Sequence, residues 1–197
     1  DPQPQVVAVE ASSFQLGRSQ RLTPDVGVVT NLAPDHLDWY PSVEEYYADK
    51  SRIFANATGE SRWVLNGEDE AVRALPGDAA GTRYYFRIGG PLRDDERGAF
   101  VDGEGWLVLR VGDRDERLTD VGALSLLGPH NVANCLAASL AARIVGGEPE
   151  RIGEGLRNFG ALEHRLEPVA EVDGVLWIND SKATNLASTR VAVRSMS

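Results

Sequence analysis

The sequence predicts an α/β fold: a mostly parallel sheet flanked by helices, with a small antiparallel hairpin subdomain. Three observations carry this. Apolar runs of strand length (Gln5–Glu10, Val26–Asn31, Arg62–Asn66, Tyr84–Ile88) stand among helical patterns, the first two joined by a helical segment. Residues 92–118 switch to short runs broken by Gly and Asp, the pattern of antiparallel hairpins added to an α/β core. Residues 165–179 form two runs around Asp173-Gly174, a two-residue hairpin signal.

Taken in order, Gln5-Val-Val-Ala-Val-Glu10 reads as a buried strand ending in a carboxylate. Ser12 or Ser13 can cap a helix after it. With Val26–Asn31 this makes a βαβ unit, whose ligands gather beyond the carboxyl strand ends. Ser42-Val-Glu-Glu45 is a capping box that opens a helix through about Ala57. Its apolar stripe is Val43, Tyr46, Tyr47, Ile53, Phe54 and Ala57, and Lys50 falls inside that stripe. Asp102-Gly-Glu-Gly105 is a turn before Trp106–Val111. Gly128-Pro-His-Asn131 starts a second helical block, Val132–Val145 continues it, and Gly146-Gly147 stops it. Pro149–Phe159 is a further helix, and the hairpin strand 175–179 runs into Asn179-Asp-Ser-Lys-Ala-Thr-Asn185.

Composition removes several classes. Of 197 residues, 42% are apolar and 25% charged, enough to bury a core. The net charge of −10 opposes a general nucleic-acid binder, which needs a basic surface. Residues 121–142 contain no Asp, Glu, Lys or Arg, but their Gly-Pro-His-Asn centre opposes a membrane span. The lone Cys135 excludes an internal disulfide and fits a reducing, cytoplasmic setting. Among 20 basic residues only Lys50 and Lys182 are lysine.

Several groups can carry chemistry. Glu10 at a strand end can hold Mg²⁺, or be an exposed acid. Asp35-His36-Leu37-Asp38 can bind a divalent metal, or form an Asp-rich turn. Lys50 either snorkels to water or has a specific partner. Desolvation would favour its neutral amine, which can add CO₂ to give an anionic carbamate able to bind metal. Asn131 and Asn134, three apart on one helix, can read the edge of a base or cap the helix. Arg165 can hold phosphate, and Asp180 can accept from ribose hydroxyls. Either can equally be a surface ion pair.

Together these motifs are far more specific. Glu10-Ala-Ser-Ser-Phe-Gln-Leu16, Asn31-Leu-Ala-Pro-Asp-His-Leu-Asp38, Lys50, Gly128-Pro-His-Asn-Val-Ala-Asn134, His164-Arg165 and Asn179–Asn185 stand in one order. That set resembles the Mur ligases, ATP-dependent amide ligases of peptidoglycan precursor synthesis. Ser12–Leu16 and Asp180–Asn185 are similar to the branch that adds D-glutamate to UDP-N-acetylmuramoyl-L-alanine through an acyl phosphate. The resemblance implies that Glu10 binds one Mg²⁺, while His36 and carbamylated Lys50 hold a second and serve the reaction. Ser12 and Gln15 would face the muramoyl substrate. Asn131 and Asn134 would contact adenine, Arg165 the ATP phosphates and Asp180 the ribose. Lys182 and Thr184 would begin the D-glutamate side.

One departure matters. Such a ligase needs a glycine-rich phosphate loop ending in Gly-Lys-Thr or Gly-Lys-Ser, and neither lysine here sits in one. The expectation is a monomeric piece of a longer enzyme, inactive alone. Residues 1–185 would be the C-terminal portion of the central ATP-binding domain. Residues 186–197 would be a linker or the start of the glutamate-binding domain. A sheet lacking the phosphate-loop strand should show an open edge or a neighbour filling it. Two other readings stand beside this: a regulatory nucleotide-binding module with vestigial motifs, and a related ligase that polyglutamates folates, which the Asp180–Asn185 run disfavours.

Overall fold

The computed structural model describes residues 4–35, 38–160, 162–184, 189–190 and 192–193. Six strands form one sheet in the order β1 (Val26–Val29), β2 (Arg62–Asn66), β3 (Thr82–Arg87), β4 (Gly98–Val101), β5 (Trp106–Arg110) and β6 (Glu116–Asp120). The pairs β1–β2, β2–β3 and β3–β4 are parallel; β4–β5 and β5–β6 are antiparallel. A separate antiparallel pair, β7 (Glu167–Val172) and β8 (Val175–Asn179), turns at Asp173-Gly174. Both turn residues have positive φ (51° and 76°), as a two-residue hairpin of this twist requires. The helices are α1 (Ser13–Arg18), α2 (Val43–Ser51), α3 (Glu70–Ala74), α4 (Pro129–Ile144) and α5 (Pro149–Asn158).

Both faces of the sheet are covered. Val64, Tyr84, Phe86, Leu107 and Leu109 meet the Cys135, Leu136 and Leu140 stripe of α4 on one side. Trp63 and Leu65 meet Phe54 and Val72 on the other. This explains the unbroken apolar centres of β2 and β5, since a strand buried on both faces has no polar alternation. Gly27 is bare because a Cβ there would lie 2.6 Å from the Trp63 ring. Pro129 opens α4 after Gly128. At its end the Gly147 N–H donates to the Ala142 carbonyl and the Gly146 N–H to Arg143, a Schellman stop.

Four expectations need correction. Residues 5–10 form no strand, and Val6, Val7 and Val9 are each more than half exposed. An apolar run becomes a strand only where a neighbour accepts its backbone hydrogen bonds, and no described residue does so. The βαβ unit expected there is therefore not formed. Among the described residues β1 is an open edge, with Val28 exposed. The helix from Ser42 ends at Ser51 rather than Ala57. Residues 52–54 tighten into a 3₁₀ turn that sets Phe54 against Trp63, ring centroids 4.7 Å apart. Finally, β4–β6 are not a separate insert. β4 pairs with β3, so the hairpins extend the main sheet.

The parallel β3–β4 connection has no helix, only residues 88–97. Leu92 anchors it apolarly, with Phe100 and Val108. Glu96 anchors it electrostatically. Its buried carboxylate accepts from Arg73 of α3 at 2.8 Å, from Arg87 of β3 at 3.2 Å and from the Arg93 N–H at 3.1 Å. Burial alone would raise the Glu96 pKa. The Arg93 N–H and the Arg73 and Arg87 guanidinium groups outweigh it and hold the carboxyl below its ordinary range.

Two outcomes are expected. Leu136→Ala, at a fully buried α4 position, should lower unfolding stability by about 2–5 kcal/mol in urea titrations. Glu96→Ala should cost about 3 kcal/mol at neutral pH, since two guanidinium groups and the Arg93 N–H lose their shared partner. A depressed carboxylate contributes its stability above its unfolded pKa and loses it as pH falls through its folded pKa. The deficit of the variant should therefore shrink on acidification. A deficit constant down to strongly acid pH would contradict the assignment.

Candidate functional site

The carboxyl ends of the parallel strands bring three polar segments to one edge. Beyond β1 lie Asn31–Asp35, beyond β2 Asn66–Asp69, and beyond β3 Ile88-Gly89. They are tied together. Asn66 Nδ2 donates to the Thr30 carbonyl at 3.0 Å, and the Leu32 N–H donates to Asp69 Oδ2 at 3.3 Å. The N–H groups of Ile88 and Gly89 donate to Glu68. Asp69 also caps α3 through the Ala71 and Val72 N–H groups. The sequence reading missed Asn66, Glu68 and Asp69. Their one signal was a capping Asp before an acidic first turn, on a helix too short for periodicity to reveal.

Lys50 lies in the last turn of α2, which ends before Ile53, Phe54 and Ala57 of the expected stripe. It is half-buried on α2, with Nζ 5.0 Å from the centroid of the Tyr46 ring. Burial pushes its ammonium pKa down, while the negative charge of Asp35 pulls it back up. Lys50 and Asp35 are thus electrostatic neighbours across the β1 loop. His36 lies outside the described residues, so the structure does not place it. Among the described residues no three His, Cys, Asp or Glu side chains converge on a point able to hold a metal ion.

Glu10 is exposed on the extended segment before α1. Ser12 and Gln15 are engaged with one another. The Ser12 N–H donates to Gln15 Oε1 at 2.8 Å, and the Gln15 N–H donates back to Ser12 Oγ at 3.3 Å. This reciprocal cap fixes the start of α1. Arg52 then joins its far end to the 3₁₀ turn by donating to the Leu16 and Ser19 carbonyls. Tyr40 donates to Asp49 Oδ2 at 2.9 Å and stacks on Phe14, which holds α1 beside α2.

A second group forms around the start of α4. Asn131 Nδ2 donates to the Leu127 carbonyl at 2.7 Å, so this amide secures the helix entry. Asn134, one turn on, is exposed. His130 is partly buried. Burial lowers its imidazole pKa, and the negative charge of Asp180 opposes that. Asp180, after β8, accepts from the Leu166 N–H at 3.1 Å. The tertiary fold thus brings the α4 start, Asp180 and the His164–Leu166 turn together from distant sequence positions. The Lys182 N–H donates to the His164 carbonyl at 3.1 Å. The side chains of Arg165, Lys182 and Thr184 are exposed, and Asn185 lies outside the described residues.

The Lys50 amine should be neutral at lower pH than an ordinary lysine. Competitive acylation followed by peptide mass spectrometry should give a reactivity midpoint below the usual lysine range. Asp35→Asn should lower that midpoint further. A midpoint in the usual range, unmoved by Asp35→Asn, would rule out the half-buried environment.

Known proteins similar to this chain fall in one family. Residues 1–142 match the Mur ligase middle domain. The UDP-N-acetylmuramoylalanine–D-glutamate ligase of Acidobacterium capsulatum is 41% identical over 189 residues, covering 95% of this chain and 40% of that protein. The enzyme of that name from Mycolicibacterium smegmatis is 39% identical over 195 residues, covering 98% of this chain and 38% of that protein. The chain thus spans about two-fifths of the length of the curated relatives it matches. Among solved structures, a pseudomurein peptide ligase type C from Methanothermus fervidus superimposes with a TM-score of 0.67 at 23% identity. It covers 88% of this chain and 41% of that one. MurF from Acinetobacter baumannii gives 0.64 at 21% identity, over 87% and 37%. At these identities the structures bear on the fold alone, and they share it. With a middle-domain match across most of its length and a sheet and helix arrangement that superimposes on those ligases, the chain belongs to the Mur ligase family.

Proposed function

We propose that this chain is the ATP-binding central part of an ATP-dependent amide ligase that joins D-glutamate to UDP-N-acetylmuramoyl-L-alanine in peptidoglycan precursor synthesis. The observation that carries this is the joining of the His164–Leu166 turn to the Asp180–Thr184 run by the Leu166 N–H on Asp180 and the Lys182 N–H on the His164 carbonyl, with the charge of Asp180 acting on His130 at the α4 start. This supports a reading in which residues suited to a base edge, a ribose and a phosphate serve one site. The named D-glutamate ligases among the relatives support the substrate choice.

The chemistry follows from the reactants. A carboxylate is a poor electrophile, so transfer of the ATP γ-phosphoryl to the muramoyl-alanine carboxylate supplies a leaving group. The D-glutamate amine then attacks the acyl carbon and phosphate departs. In this reading Asn131 and Asn134 face adenine and Asp180 the ribose. Arg165 meets the phosphates, and Ser12 and Gln15 lie toward the muramoyl substrate. Lys182 and Thr184 open the D-glutamate side. Asn131 and Asp180 already spend part of their hydrogen-bonding capacity on the protein, which fixes the groups they would present.

Mg²⁺, when bound, would spread the charge that develops on the transferring phosphoryl. Its fit rests on donor chemistry, because a hard dication takes oxygen ligands. Glu10 offers an exposed carboxylate, whereas Lys50 as an ammonium would repel the ion. A carbamate on Lys50, beside His36, would reverse that sign, and the burial that favours the neutral amine favours its reaction with CO₂. The cytoplasm is the setting in which such precursors are made, and no described helix is long and apolar enough to cross a membrane.

The test is ATP-, D-glutamate- and UDP-N-acetylmuramoyl-L-alanine-dependent phosphate release by the complete gene product. The 197-residue chain alone, with no Gly-Lys-Thr or Gly-Lys-Ser loop, should show none. Lys50→Ala in the complete protein should lose most activity and regain part of it with short carboxylic acids. Full unaided activity of that variant would sink the carbamate. Absence of D-glutamate dependence in the unaltered protein would sink the substrate assignment.

A further inference from the structure

The turn between α5 and β7 holds two non-glycine residues at positive φ, His164 at 68° and Leu166 at 46°. L-residues avoid this region, and persist there only where their surroundings over-determine them. Here every peptide group around Arg165 is pinned. The His164 N–H donates to Glu167 Oε2 at 2.8 Å. The His164 carbonyl accepts from the Lys182 N–H, and the Arg165 N–H donates to the Leu162 carbonyl, both at 3.1 Å. The Leu166 N–H donates to Asp180, and the Leu166 side chain is buried.

The same Glu167 oxygen accepts a second bond, from Asn179 Nδ2 at 3.2 Å. That amide nitrogen also lies 2.8 Å from His164 Nδ1, which accepts it when the imidazole proton sits on Nε2. One carboxylate oxygen therefore grips both the backbone of the turn and the amide beside its imidazole. The turn drives Leu166 inward and leaves Arg165 exposed. Among the described residues the Arg165 guanidinium enters no ion pair. Glu167, two residues away, is spent on the turn and not on that guanidinium.

We propose that Glu167 and Asn179 are positioning residues that hold the His164–Leu166 turn so that Arg165 presents a pre-set guanidinium to the phosphate groups of the nucleotide. This rests on the ATP-ligase reading. A guanidinium on a mobile loop loses backbone as well as rotamer freedom on meeting phosphate, and one rooted in a fixed turn loses only the latter.

The experiment measures KM for ATP and kcat in the complete gene product, with adenosine as a competitive inhibitor that has no phosphate. Glu167→Ala should raise KM for ATP about tenfold, the equivalent of one charge-assisted hydrogen bond, with kcat and the adenosine inhibition constant little changed. Glu167→Gln should restore most of the loss, because its amide oxygen still accepts from the His164 N–H. Combined with Arg165→Ala, Glu167→Ala should add nothing further, since it acts through that arginine. Asn179→Ala should give the same pattern more weakly, and it carries the test if Glu167→Ala does not fold. Three results would overturn the proposal: an unchanged KM in Glu167→Ala where Arg165→Ala raises it, full additivity of the two, or a parallel loss of adenosine binding. If the unaltered protein shows no ATP-dependent ligation and Arg165→Ala changes nothing, the ligase reading itself has failed.

Discussion

Burial of one helix on the sheet is the constraint from which the rest follows. Leu136 and Leu140 of α4 are fully buried against Val64, Phe86, Leu107 and Leu109. Each such side chain contributes on the order of 1.5–3 kcal/mol by leaving water. The register of that stripe sets the helix rotation, and so decides where Asn131 and Asn134 stand. Pro129 and the Schellman stop at Gly146-Gly147 fix the two ends. A helix held at both ends and along one face can present polar groups at its start without moving when they are engaged.

On the opposite side of the sheet, hydrogen bonds and charge add to the apolar packing of Trp63, Leu65, Phe54 and Val72. Asp69 and Asn66 tie the β1 loop to the α3 region, and Glu96 gathers Arg73, Arg87 and the Arg93 backbone. The Glu96 contacts stand in for the helical crossover that the parallel β3–β4 pair lacks. A short connection between β3 and β4 is tolerable because a buried carboxylate and Leu92 hold it down. The two halves of the candidate site therefore rest on different physics. The α4 half is held by apolar packing and the β1-loop half by polar anchoring.

That difference bears on which expectations held. Periodicity found α2, α4, α5 and the strands β1, β2 and β3, because long or doubly buried elements write their environment into the sequence. The hairpin at Asp173-Gly174 was legible from two residues, since few other residues adopt positive φ there. α3 was invisible, being short with one buried residue, Val72. Residues 5–10 misled for the opposite reason. Their pattern is that of a strand, but backbone pairing is a property of two segments and not of one.

The sequence by itself determined the α/β class, the helix and turn boundaries set by caps and glycines, and the Mur ligase resemblance carried by its ordered motifs. It also placed Lys50 in an apolar stripe, because helical spacing is a local matter. Only the tertiary structure decided that the charge of Asp35 acts on Lys50, that Asp180 accepts from the Leu166 amide while its charge acts on His130, and that Glu167 and Asn179 brace the turn bearing Arg165. Those are contacts between segments separated by many residues. Local propensity carries no record of them. They exist because burying the α4 stripe and pairing β7 with β8 bring the segments together.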